Sequence, residues 1–153
     1  MAYATPEKLR RRLPESALAQ LTRETGDAAD DEMLTEVCVE SDGILNVAAN
    51  TAGYTTPVSS SDGSTMGTLE THSLSIAKFL LLNRRGLGSL DLAAETLYKA
   101  ALKFGEQLAC GDMELLGAAV KGIPAATSGS SLAGSEDLVF GKGNRTSDPM
   151  RGL

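Results

Sequence analysis

The sequence predicts an all-α protein, a helical bundle of three long and two short helices with an extended C-terminal arm. Three observations lead there. Apolar residues recur at steps of three and four through three long segments, the mark of helices with one buried face. Helix start and stop residues bracket each segment. No segment of the first 111 residues alternates at period two as a half-buried strand would. The chain has 153 residues, 42% of them hydrophobic and 4% aromatic. That is the size of one domain, able to bury roughly 70% of the surface of its unfolded chain.

The elements follow in order. Thr5-Pro6-Glu7 reads as an N-cap, a proline at the first helical position and an acid in the first turn. A short helix runs from there to Arg12 and is stopped by Pro14. A second, Glu15 to about Thr22, puts Leu18 and Leu21 on one side. Gly26 to Asp30 is a polar turn whose last acids cap a long helix ending near Ala52. Its stripe is Leu34, Val37, Cys38, Ser41, Leu45 and Ala48, with Gly53 as the left-handed stop. Residues 54–65 read as loop with little to bury. The next long helix spans about Met66 to Arg85, with Leu69, Ser73, Ile76, Ala77 and Leu80 inward and Gly86 closing it. The last begins near Ser89 or Asp91, turns Ala93, Leu97, Ala100, Ala101, Phe104 and Leu108 inward, and ends at Gly111.

Beyond Gly111 the composition changes. Residues 112–153 are rich in Gly, Ser and Ala, and their apolar side chains come in small clusters: Leu115-Leu116, Val120 with Ile123, Leu138-Val139-Phe140, and Met150 with Leu153. Such a segment cannot offset an ordering cost of roughly 1–2 kcal/mol per residue by packing on itself. The expectation is a helical domain over 1–111 and an arm over 112–153 that takes its order from neighbouring subunits or partners. Leu138-Val139-Phe140 has the character of a short edge strand or of an anchor for another molecule's groove.

Charge is segregated along the chain. The formal net charge is −6; residues 1–13 carry +3, residues 15–50 carry −8 and residues 71–90 return to +3. Alternating acidic and basic segments suit a subunit that meets copies of itself or a protein partner. They do not suit a nucleic-acid binder, which presents an overall basic face. No apolar run approaches the roughly 20 residues of a membrane span, so no membrane is expected. The amino terminus lacks a signal peptide's basic start and apolar middle, which predicts a chain that stays in the cytoplasm where it is made. Two cysteines, Cys38 and Cys110, cannot make a disulfide framework and are expected as free thiols.

The chemical inventory is thin. His72 is the single histidine and reads as a surface or interface residue. The acids at 27, 30, 31 and 32 lack the glycine placement of a calcium loop, and helix capping explains them. Gly141-Lys142 follows Glu136 where a phosphate loop needs glycine, and no Gly-x-Ser-x-Gly elbow occurs. The expectation is no enzyme, no cofactor and no metal. The basic cluster Arg10, Arg11, Arg12 reads as an ion-pair surface for an acidic neighbour. With Leu138, Val139, Phe140, Met150 and Arg151 of the arm, it forms the expected partner-binding set.

The order of motifs resembles that of the phage Mu gp36-like family, small virion proteins of Mu-like phages and prophages. The residues that carry the resemblance are Tyr3 to Leu9, Leu21-Thr22 with the acidic turn to Asp31-Glu32, and Asp42-Gly43-Ile44-Leu45. Gly53 to Val58, Ser75 to Leu81, Leu97 to Lys103, Leu108 to Gly111, Val139-Phe140 and Asp148 to Leu153 complete it. The resemblance implies a head–tail connector, or adaptor, in the virion neck and assembled in the bacterial host cytoplasm. Its fold would be a helical bundle with extended arms, the helical adaptor domain being residues 1–111. It implies a homo-oligomeric ring below the portal protein, of about twelve copies if it follows the portal's symmetry. Tail-terminator or other neck proteins are its further partners, and DNA passes through the ring without sequence-specific binding. An acidic or neutral channel wall would let DNA slide, and acids of helix 30–52 or of loop 54–65 are the candidates for it. The alternatives are a tail-side neck or stopper protein, or a small non-viral helical module that binds a regulatory protein.

Overall fold

The computed structural model describes residues 2–22, 28–88 and 90–122. Five helices follow one another: α1 (Pro6–Arg12), α2 (Glu15–Thr22), α3 (Asp31–Thr51), α4 (Gly63–Arg84) and α5 (Leu92–Cys110). No strand occurs among the described residues, only two isolated antiparallel bridges, Tyr54 with Val120 and Ser60 with Ala118. The all-α bundle of three long and two short helices is therefore the observed fold.

Side-chain caps fix most helix starts. Thr5 accepts from the Lys8 amide, Asp30 from Glu32 and Met33, and Asp91 from Ala94, each meeting a donor the first turn leaves unpaired. Asp62 does the same for Thr65, so α4 starts three residues earlier than the sequence suggested. Hydroxyls of Ser64 and Thr65 also donate to Asp62, and these bonds hold its carboxyl down at about 2. At the other end of α5, Gly111 adopts the left-handed conformation expected of it, with φ +80°.

The long helices run antiparallel in sequence order. His72 stacks on Phe104 and Phe79 on Tyr98, at ring-centroid separations of 4.4 and 4.1 Å, which sets α5 against α4 in reverse. Between α3 and α4, Leu34 near one end of its helix shares a core cluster with Leu81 near the opposite end of the other. One cluster lies under α1, α2 and the adjoining halves of α3 and α4. The second joins the remaining halves to α5 around Leu45, Leu69, Ile76 and Phe104, and Leu80 packs on both.

Helix α4 is the central element, buried on more than one side through Thr65, Leu69, Ser73, Leu74, Ser75, Ile76, Ala77 and Leu81. The single inward stripe drawn for it is thus too narrow: helices that pack on two sides lose their amphipathic signature. The stripe of α5 needs a clearer correction. Ala101, Phe104 and Leu108 are buried as expected, but Ala93, Leu97 and Ala100 are exposed and Ala94 faces the core instead. Alanines stand on adjacent faces of this helix, so apolar spacing alone leaves the register of its first half open.

Two further expectations change. Loop 54–62 buries Tyr54 and Val58 rather than little, and its Thr56-Pro57 bond is cis. The expected arm boundary at Gly111 marks the end of α5, but residues 112–121 return along that loop. The Leu115 amide donates to the Tyr54 hydroxyl at 2.9 Å, Thr55 to the Ala119 carbonyl at 2.8 Å and Lys121 to the Gly53 carbonyl at 2.7 Å. Gly117, at φ +67°, lets this crossing close: a Cβ there would lie 2.8 Å from the Ser61 hydroxyl.

Candidate functional site

The described residues hold one dense polar knot and, apart from it, a group of exposed leucines at the α4–α5 corner. The knot centres on Asp42, which points inward from the middle of α3. Its carboxylate accepts from the Tyr3 and Ala4 amides at 2.9 and 3.0 Å and from the Ser73 hydroxyl at 2.5 Å. Ser41 and Ser73 share a bond at 3.0 Å across α3 and α4. The Tyr3 hydroxyl in turn donates to Asn46 at 2.7 Å and accepts from the Val58 amide at 2.6 Å. Burial raises the tyrosine's pKa above its ordinary value, the bond from Val58 opposing that shift in part. The knot thereby joins the first residues, α3, α4 and loop 54–62.

Every polar group in this knot is engaged, and no buried side-chain nitrogen or oxygen among the described residues lacks a partner. That is the signature of a structural clamp, not of a site that waits for a ligand. Cys38, nearby on α3, is a buried thiol pushed up to about 11, first by burial and then by the Asp42 charge. Cys110, the last residue of α5, is an exposed free thiol. His72 is half-buried against Phe104, and desolvation lowers its pKa. Among the described residues no cluster of three metal-ligating side chains occurs, and no helix is long and apolar enough to cross a membrane.

The acids of α3 divide between two roles. Asp42 is inside, so it cannot line a channel. Glu32, Glu36 and Glu40 follow one another at four-residue steps and are all exposed, giving α3 an acidic outer stripe. In the 54–65 loop Asp62 is the α4 cap. Among the three arginines of α1, Arg10 pairs within the chain with Asp31 and with Glu15, the latter at 3.3 Å. Arg11 and Arg12 are exposed and carry no ion pair among the described residues. Leu138, Val139, Phe140, Met150 and Arg151 lie outside the described residues.

The apolar surface is one that sequence reasoning did not single out. At the α4–α5 corner Leu90 is 77% exposed and Leu92 74%, and Leu97 on the next turns is 51% exposed. Beside them a crevice of about 290 Å³ opens between α1, α4 and α5, lined by Leu9, Leu13, Leu74, Ala94 and Leu97 and edged by Arg12 and Lys78. A second apolar groove of about 280 Å³ separates α3 from α5 around Val47, Ala48 and Gly105. Large exposed apolar residues gathered at one corner are the kind of surface on which interactions with other molecules are built. The available signal was Leu90-Asp91-Leu92, two leucines on either side of the acid that caps α5.

Comparison with known proteins places the chain in a family. No curated protein and no solved structure matches the chain. The model of the family described as Bacteriophage Mu, Gp36 matches residues 3–133. Its match opens at Tyr3, the residue that ties the amino terminus to the bundle, runs through all five helices and passes beyond Lys121. On that match, which covers well over half of its length, the chain belongs to the Bacteriophage Mu, Gp36 family.

Proposed function

We propose that this chain is a phage structural protein of the virion neck, a head–tail connector that forms a ring below the portal and lets DNA pass. The observation that carries the reading is the family match over residues 3–133. The surface agrees with it. A subunit of a closed ring must offer two different faces to its neighbours. This domain has an acidic outer stripe on α3, two uncompensated arginines on α1 and an exposed apolar corner between α4 and α5. Among the described residues every buried polar side-chain atom has a partner, so the chemistry left to meet another molecule lies on the surface.

The acidic stripe Glu32, Glu36, Glu40 gives the channel reading its concrete form. Carboxylates repel phosphate, so a wall that bears them adds no binding step as DNA moves past. The arm beyond Lys121 reaches portal or tail-side neighbours in this reading. Mixing the purified chain with purified portal tests it by mass photometry and electron microscopy. The expected product is a portal complex carrying a ring of about twelve added subunits. A chain that stays free at all portal concentrations contradicts the reading.

A further inference from the structure

The crevice between α1, α4 and α5 has a chemical character of its own. Leu9, Leu13, Leu74 and Leu97 supply an apolar floor and wall, and Arg12 and Lys78 stand at the edge. No acidic side chain lines it. Lys78 is held by Asp91 at 3.3 Å, whereas Arg12 has no ion pair among the described residues. An occupant that matches this cleft is therefore apolar over three or so residues and acidic immediately beside them.

The chain contains such a stretch. Glu136-Asp137-Leu138-Val139-Phe140 sets two adjacent acids directly before three large apolar residues. Comparable windows are already committed: Asp30 to Leu34 begins α3, Glu36 to Glu40 buries Val37 and Cys38 within it, and Asp112 to Leu116 buries Leu115. The fourteen steps from Gly122 to Glu136 span up to about 50 Å when extended, enough to cross the width of a small domain.

We propose that the crevice of one subunit receives residues 136–140 of a neighbouring copy, with the apolar trio on the leucines and the acids toward Arg12 and Lys78. This inference rests on the ring reading and gives it a specific subunit contact. It also gives an occupant to the exposed side of Leu97, on a helix that buries Ala101, Phe104 and Leu108 in its later turns. Docking of this kind is directional, since a crevice and a segment are different surfaces. Repetition around a ring joins each copy to the next.

Site-specific cross-linking in the full-length chain, with portal present, tests it. All variants carry Cys110→Ser, which leaves only the buried Cys38. One chain bears Ala93→Cys, one turn before Leu97 and outside the crevice lining, and the other bears Val139→Cys. Under mild oxidation the 93–139 pair should form between chains about tenfold faster than a control pair of Val47→Cys with Val139→Cys, because docking raises the local concentration. Arg12→Glu should remove that advantage, and adding Glu136→Arg on the partner chain should restore it. Equal rates at positions 93 and 47 overturn the proposal, as does a link that forms only within one chain when both cysteines are placed on it and diluted with unlabelled protein. If rings form on the portal without the 93–139 preference, the crevice contact fails and the connector reading stands. If the preference appears while no ring forms, the contact stands and the connector reading fails.

Discussion

The Asp42 knot and the α4–α5 corner are opposite solutions to the placement of difficult side chains. In the knot a carboxylate is buried, but three donors from distant parts of the chain meet it. At the corner, leucines are left in water although a core lies close by. A buried charge is tolerable only when its hydrogen-bonding capacity is filled. An exposed leucine costs folding little, and it becomes useful when a partner covers it. The first region therefore answers to folding, and in the proposed reading the second answers to assembly. The same division runs along α3, where Asp42 turns inward and Glu32, Glu36 and Glu40 turn out.

Substitutions should separate the two regions. The largest effect falls on the knot: Asp42→Ala strands two buried amides, leaves the Ser73 hydroxyl only Ser41 as a partner, and should cost about 3 kcal/mol in urea unfolding. A loss below about 1 kcal/mol would mean the knot is not a clamp. Tyr3→Phe keeps the ring in the core but deprives the Val58 amide and Asn46 of their partner, so about 1.5 kcal/mol is expected. Tyr54→Phe removes the acceptor for the Leu115 amide, with an expected loss of about 1 kcal/mol and faster proteolysis after Gly111.

A smaller effect should follow pH. His72 has a lowered pKa in the fold, so the unfolded chain binds its proton more readily. Its contribution is fully present above the ordinary value of about 6.5 and is lost as pH falls through the lower folded value. Asp62, held near 2, adds stability above the ordinary carboxylate range and loses it as pH falls toward 2. Melting temperature should therefore decline on acidification, with the His72 part absent in His72→Gln. Least of all, Leu90→Ser with Leu92→Ser should change stability by no more than about 0.5 kcal/mol, yet abolish assembly on the portal. A large loss of stability in that variant would erase the distinction between the two regions.

Most of the fold was legible because its helix ends are written in local chemistry. Thr5-Pro6, Asp30 and Asp91 at starts, and Gly53, Gly86 and Gly111 at stops, act within a few residues of where they stand. The start of α4 was hidden because Asp62 sits in a run of serines and glycines that reads as loop, although the same serines and threonines bond to it. The role of Asp42 had no local signal, since its partners Tyr3, Ala4 and Ser73 are at least 31 residues away. The exposed face of α5 was misjudged for a different reason. Its alanines at 93, 94, 100 and 101 offer two plausible stripes, and packing against His72 and Phe79 chose between them. The basic cluster was found, but its division into a paired Arg10 and unpaired Arg11 and Arg12 depends on where Asp31 and Glu15 fall in space. For the crevice itself, α1, α4 and α5 must meet first, and no sequence spacing announces that.

The central claim is that this chain is a neck subunit of a virion, and imaging of intact particles by electron cryo-microscopy tests it most directly. The account predicts a ring of this fold directly beneath the portal, in about twelve copies, with the α3 acids toward the DNA path. Particles in which the neck shows no density of this shape, or in which the protein sits elsewhere, would contradict it.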